Sequence, residues 1–225
     1  MPLKFIHQNY LKYNKGKGFI CCHVDALHAT PPAADLFTDK IVENLIKKTG
    51  CAGIVGTVSR NHADLNRSPN GDNDEGIKEY RNAIKDILEF LDILDHVNNH
   101  LTQPYLHLSF HGMKDIHHGP YAIEVGTVHG QSCSMEIRSW FEEILTKKAL
   151  EIIPEIEVVF DKKFIGNKSI VFHRLGDGKG YSGYHHNFNT FQIELSRTVR
   201  SKHCSKIVDI FSRIINDFQT TFVIN

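Results

Sequence analysis

The stretch GTVSRNHADLNR, residues 56–67, places Arg60, Asp64, Asn66 and Arg67 within eight residues of one another. It follows a run of small and apolar residues from Cys51 to Val58. Two planar guanidinium forks and an amide are the groups that hold a carboxylate. Histidine supplies the second chemical signal, with 15 in 225 residues. His23 and His28 lie at or after the end of one apolar run, His111 follows another in SFHGM, and Glu194 sits inside FQIEL. Imidazoles and carboxylates brought together are the donors of a catalytic zinc, which takes about three protein ligands and leaves one position to water. With so many histidines some reach strand ends by chance, so for any single one a structural or surface role is the commoner reading.

These residues need elements to position them. GFICCHV (18–24), CAGIVGTV (51–58), YLHLSF (105–110), 123–125, IEVVF (156–160), SIVFH (169–173) and FQIEL (191–195) read as short buried strands. TDKIVENLIKKTG (38–50) reads as a helix with Thr38 as its cap and Gly50 as its stop. Apolar residues at helical spacing from Ile77 to Val97 predict a long amphipathic helix over 77–98. Two more helices are expected over 135–148 and 206–220. Strands alternating with helices predict an α/β fold with a mostly parallel or mixed sheet, whose sites gather at the carboxyl ends of the strands.

Composition narrows the function classes. The length suits one domain over 1–225, and a formal net charge of zero argues against a nucleic-acid partner held by a global positive field. No apolar run reaches the ~18 residues of a membrane span, and the N-terminus lacks the apolar core of a signal peptide. The five cysteines (Cys21, Cys22, Cys51, Cys133, Cys204) are an odd set without CxxC spacing, which argues against a zinc ribbon or a disulfide scaffold. Reduced thiols in a cytoplasmic protein are expected. Most of them read as packing residues; Cys133, in a loop, is a minor candidate nucleophile.

SRNHADLNR (59–67) resembles the SRxxxDLNR signature of the N-formylglutamate amidohydrolase family. FQIELSR (191–197) is similar to that family's QIExxR segment, SFHGM (109–113) to its strand-end DLHS segment, and GTVHGQSC (126–133) to its LGxxxGxSC segment. HATPP (28–32), with TDKIVENL after it, resembles the HSG…P and Asp-plus-helix pattern. The pieces keep the family order over about residues 19–200. The resemblance implies a zinc-carboxypeptidase-like fold, a three-layer α/β/α arrangement around a central mixed, mostly parallel sheet. It also implies metal-dependent amide hydrolysis with one zinc ion per chain.

Position by position, the resemblance makes His28 and His111 zinc ligands and Asp39 the carboxylate ligand, with Asp25 and His23 as rivals for that place. Pro31 stands where an HxxE glutamate would be. Glu194 matches the general base, Asn66 and Arg67 the pair that grips the substrate carboxylate, and Arg60 the group that meets the oxyanion. Arg197 either partners Glu194 or binds substrate. The substrate implied is a small N-acyl amino acid or peptide with a free carboxylate.

Other residues have plainer readings. Phe110 stands where the family has an acidic residue, which leaves the support of His111 open. DIHHG (115–119) and GYHHN (183–187) read as solvated loops, and GDGKGYSGY (176–184) as a mobile loop over the site. That last stretch lacks the ending of a phosphate-binding loop. Asp64 can pair with Arg60 or Arg67, and Glu124 reads as a structural carboxylate or a rim residue. Two alternatives stay open: a non-catalytic protein binding an acidic ligand, and a non-haem iron enzyme with two histidines and one carboxylate.

Overall fold

In the computed structural model, which describes residues 3–224, the chain opens with a hairpin, β1 (Ile6–His7) and β2 (Leu11–Asn14). Then come β3 (Cys22–Ala26), α1 (Thr38–Thr49), β4 (Ala52–Gly56) and α2 (Asp74–Phe90). A small ribbon, β5 (Leu94–Asp95) and β6 (His100–Leu101), precedes β7 (Tyr105–Met113) and β8 (Ala122–Gly126). The chain continues through α3 (Met135–Ile152), β9 (Glu157–Phe160), α4 (Lys168–Leu175) and β10 (Phe188–Ser196). It closes with α5 (Arg197–Lys202) and α6 (Cys204–Phe218).

Eight strands form one sheet in the order β1-β2-β4-β3-β7-β10-β8-β9. The central strands β4, β3, β7 and β10 are mutually parallel, β8 and β9 run the other way, and β2 joins antiparallel. This is the mixed, mostly parallel sheet flanked by helices that the sequence predicts. α1, α3 and α6 cover one face. α2 packs on the other, beside α4, which lies against β10.

Alternation along β7 decides what each face holds. Leu106, Leu108 and Phe110 point into the core under α1 and α6, where Phe110 meets Phe211 edge-to-face at 4.9 Å. Burying each such side chain stabilises the fold by about 1.5–3 kcal/mol. Tyr105, His107, Ser109 and His111 take the other face. Glu194 lies opposite His111 in the register with β10, and Asp25 lies opposite Ser109 in the register with β3. A single face of the central strands therefore carries His23, Asp25, His107, Ser109, His111, Thr190, Gln192 and Glu194, all buried.

The elements differ from expectation in several places. The first apolar run becomes a strand only at Cys22–Ala26, so His23 and Asp25 lie inside it. The helix expected to reach residue 98 stops at Phe90, because Asp92 takes a left-handed φ of 55°. SIVFH is helical, not extended: the Asn167 side chain accepts the Ser169 N–H as a cap, and Gly176 ends the helix. Five apolar residues cannot distinguish a short strand from a buried helical turn. The hairpin β1–β2 carried no signal strong enough to expect it.

Candidate metal centre

The carboxyl ends of the parallel strands meet at one edge of the sheet, and the segments there enclose a cleft of about 290 Å³. His28, Asp35, Arg60, Asn66, Arg67, His111, Gln192 and Glu194 line it, with residues 163–167 as the far wall. His28, Asp35 and His111 can hold a metal ion: one donor atom from each lies within 4.8 Å of the others.

Hydrogen bonding fixes which atoms are free. His28 Nε2 lies 2.7 Å from Asp64 Oδ1, and a carboxylate only accepts, so Nε2 carries the hydrogen. The lone pair is then on Nδ1, a buried atom with no hydrogen-bond partner. A buried acceptor left without a partner costs on the order of 1–3 kcal/mol. His28 Nδ1 sits 3.6 Å from Asp35 Oδ2, and His111 Nδ1 sits 3.3 Å from the same oxygen. The two rings stand edge-to-face, 70° apart, an inclination that lets in-plane lone pairs meet at one ion. An orphaned imidazole nitrogen beside a carboxylate and a second imidazole fits a divalent cation such as zinc. Burial alone would raise the Asp35 carboxyl; the neighbouring His111 and His28 rings and the charge of Arg60 reverse this and hold it well below the ordinary range. The Arg60 guanidinium lies 2.6 Å from Asp35 Oδ1, yet its Nε remains without a hydrogen-bond partner.

A second group, His23, Asp25 and His107, has the same composition. Its geometry differs. The His23 and His107 rings are stacked, 4.0 Å between centroids and 10° between planes. In-plane lone pairs of stacked rings run parallel and cannot meet at one ion. His107 Nε2 is already bonded to Asp25 Oδ2 at 2.8 Å, and Tyr80 and Ser109 hydroxyls complete that carboxylate. We read this group as a sealed polar network of the sheet, in which His23 Nδ1 meets the Tyr105 hydroxyl at 3.0 Å and His23 Nε2 is left without a partner.

The base candidate sits across the cleft. Glu194 is buried, and burial raises its carboxyl above the ordinary value, with the charge of His111 pulling the other way. A row of amides leads to it: Asn66 Nδ2 donates to Gln192 Oε1 at 3.2 Å, and Gln192 Nε2 donates to Glu194 Oε1 at 3.2 Å. Arg67 is held by its own chain, donating to the Asn66 carbonyl at 2.9 Å, and lies 3.8 Å from Asp64. Its side chain is 49% exposed, so the guanidinium remains open to a ligand.

The far wall is fastened from below. Glu124 Oε1 accepts the backbone N–H groups of Lys162, Lys163 and Phe164 at 2.9, 2.5 and 2.7 Å, while Oε2 takes His118 Nε2 at 2.6 Å. Gly126 makes room for this segment, since a Cβ there would run into the Phe164 carbonyl. Glu124 is thus a structural carboxylate, and His118 of DIHHG is bound to it. The wall brings Lys163, a cation, to the cleft.

The structure brings His28, His111, Arg60, Asn66, Arg67 and Glu194 together around one cleft. It does not bring Asp39, which is half-buried in the first turn of α1 while Asp35, four residues earlier, stands beside the histidines. The Asp35 N–H closes on the His28 carbonyl at 2.7 Å, folding the intervening loop so that this aspartate returns to the site. The rivals Asp25 and His23 are both in the sealed network. Arg197 is exposed at the start of α5, where β10 has ended, and does not line the cleft.

Sequence reasoning missed Asp35, Gln192, Lys163 and Arg200. Gln192 was findable as the same-face neighbour of Glu194 two residues along a strand. Arg200 is buried and donates to the carbonyls of Leu36, Met113 and Leu195 at 3.0, 2.9 and 2.6 Å. It thereby ties the Asp35 loop to the ends of β7 and β10. Gly112 is needed under it, because a Cβ would strike the guanidinium.

No protein-family model matches the sequence, and no curated protein matches it. Solved structures do share the fold. An N-formylglutamate amidohydrolase from Ralstonia eutropha JMP134 aligns with a TM-score of 0.65 at 14% identity, over 94% of this chain and 98% of that one. A bacteriophage poly-gamma-glutamate hydrolase aligns at 0.50 with 12% identity, over 98% and 92%. A metallo-carboxypeptidase from Burkholderia cenocepacia aligns at 0.50 with 10% identity, over 93% of this chain and 61% of that one. At these identities the likeness is one of fold. No helix among the described residues is long and apolar enough to cross a membrane.

Proposed function

We propose that the protein is a zinc-dependent hydrolase that cleaves an amide bond in a small substrate bearing a free carboxylate, an N-acyl amino acid or a peptide end. The observation that carries this reading is the buried, unpartnered His28 Nδ1, aimed with His111 and Asp35 at one point in the cleft. His28, Asp35 and His111 would hold the ion. When bound, it would supply Lewis-acid activation of water at neutral pH.

The remaining steps belong to the chain. Glu194 takes the proton of the attacking water and delivers it to the leaving nitrogen, a role that a carboxyl raised by burial suits. Arg60 keeps an unspent N–H donor and a positive charge for the oxygen that becomes negative in the transition state. Arg67, with its open guanidinium, and Lys163 on the far wall draw in the substrate carboxylate. Asn66 holds the shape of the pocket through Gln192.

Two imidazoles and one carboxylate also suit non-haem iron. Glu194 and Arg60 favour hydrolysis, because an oxygenase site or a simple binding site needs neither a proton acceptor nor an oxyanion partner. The test is elemental analysis of the purified protein, followed by a zinc-loaded screen of N-acyl amino acids and short peptides for amine release. Zinc with amine release supports the proposal. Iron as the resident metal, or zinc-loaded protein inert toward every carboxylate substrate, would overturn it.

A further inference from the structure

Asp25 is fully buried behind the cleft, and the hydrolytic scheme does not use it. Its Oδ2 accepts the Tyr80 hydroxyl at 2.5 Å and His107 Nε2 at 2.8 Å; its Oδ1 accepts the Ser109 hydroxyl at 2.6 Å. Ser109 is paired with Asp25 across the parallel β3–β7 register and precedes His111 by two residues on the same face. The single hydrogen of Ser109 is engaged by the carboxylate. Toward His111 Nε2, 3.1 Å away, the Ser109 oxygen is therefore left as an acceptor. That contact favours a hydrogen on His111 Nε2, which in the neutral ring leaves the lone pair on Nδ1, the atom facing Asp35.

We infer that Asp25 and Ser109 are positioning residues: the buried carboxylate polarises the serine hydroxyl, and the hydroxyl fixes the tautomer and ring angle of His111. The inference rests on His111 being a metal ligand, as proposed above. His28 is backed directly by Asp64, and His111 is backed by Asp25 through one interposed oxygen. Both rings thus present Nδ1, and each has an aspartate behind it. Such outer groups set ligand basicity and orientation, and their loss lowers metal affinity about 10–100-fold.

Two neighbours compete: Asp35 Oδ2, 3.3 Å from His111 Nδ1, can accept a hydrogen there, and Asn66 reaches Nε2. Asn66 Nδ2 lies 3.3 Å from the same His111 nitrogen. If that amide donated to a bare Nε2, the hydrogen would move to Nδ1 and point at Asp35. The Ser109 contact is shorter, and Asn66 Nδ2 already donates to Gln192. Removing Ser109 should therefore hand control of the ring to Asn66.

Two measurements test this. Imidazole nitrogen–proton correlation NMR of the metal-free protein at pH 9, with His111 assigned by its loss in His111→Gln, reads the tautomer without any metal. Chelator competition reads zinc affinity. Wild type should show the Nε2–H form. Ser109→Ala should shift His111 toward the Nδ1–H form and weaken zinc about 10–100-fold. Ser109→Thr, which keeps the hydroxyl, should restore both readouts. Asp25→Asn should move them in the same direction as Ser109→Ala; should it fail to fold, the Ser109 pair still decides. A wild-type Nδ1–H form, or a Ser109→Ala protein with unchanged tautomer and zinc affinity, would overturn the inference. A wild type that binds no zinc but shows the Ser109-dependent tautomer would sink the metal reading while supporting the positioning role.

Discussion

Two groups of two histidines and one aspartate lie along the same face of the sheet, and they are built for different ends. In the sealed group the rings of His23 and His107 are parallel, and Asp25 accepts hydrogens from three neighbours. In the cleft group the rings of His28 and His111 are steeply inclined, and His28 keeps a bare nitrogen. Composition is identical, so composition cannot separate a metal site from a core network. Ring inclination does separate them, for each group keeps one buried imidazole nitrogen without a partner, His28 Nδ1 in the cleft and His23 Nε2 in the stacked pair.

The sharpest break in that comparison comes from chemistry on the cleft side. Glu194→Gln keeps the shape of the side chain and removes its ability to take a proton. Its kcat is expected to fall about 10²–10⁴-fold while bound metal, measured by elemental analysis, is retained. If Glu194→Gln sheds its metal, Glu194 is a ligand and the three-ligand set must be redrawn.

Ligand substitutions come next. His28→Ala, Asp35→Ala and His111→Ala are each expected to lower metal affinity by about tenfold or more. Asp39→Ala should leave affinity unchanged, as should His23→Leu in the sealed group. Chelator competition on all five variants would expose a wrong assignment, and metal loss in His23→Leu would contradict the stacking argument.

The sealed side is expected to answer to pH instead. Burial lowers the His23 pKa far below its ordinary value, and burial, with the charges of His107 and Arg81, lowers His173 to about 3. In the unfolded chain both return to about 6.5. Below that pH the unfolded state binds protons that the native state refuses, so stability falls as pH falls. For His173 the loss continues down to its native value of about 3. Each histidine contributes a slope of about 1.4 kcal/mol per pH unit in its window. Denaturant unfolding of the metal-free protein between pH 7 and 5 should show this slope, and His173→Gln should make it shallower. An equal slope in the variant would mean that His173 is protonated in the native state.

The smallest effect is expected at the rim. Arg67→Lys keeps a charge but loses the planar fork. One weakened contact of about 1 kcal/mol raises KM roughly fivefold with kcat little changed. Substrates with an amidated carboxylate should already be poor for the wild type. Equal turnover of free-acid and amide forms would remove Arg67 from substrate recognition.

The sequence was most legible where local pattern and site coincide. YLHLSF read as a strand with His111 just past its end, β7 in fact running on to Met113, and the fold class followed from strands alternating with helices. DLNR placed Asn66 and Arg67 beside the histidines because that segment directly follows β4. Asp35 was not legible. It reaches the site through a loop that folds back on the His28 carbonyl and is tied down by Arg200, 165 residues farther along the chain. The wall around Lys163 depends on Glu124 in the same way, through backbone N–H groups that no side-chain pattern announces. Asp25 was noticed as a rival ligand, but only the register with Ser109 shows that it stands one atom short of the site.

The alternating faces of β7 have a consequence for how activity can be lost. Leu106, Leu108 and Phe110 belong to the core, while His107, Ser109 and His111 belong to the polar face. A one-residue slip of this strand would put imidazoles into the apolar layer and leucines into the cleft together. In that shifted register neither the core nor the site is intact. A strand slipped by one residue therefore loses core and site together, whereas a substitution at Ser109 or His111 weakens the site of every molecule while the core stays in place.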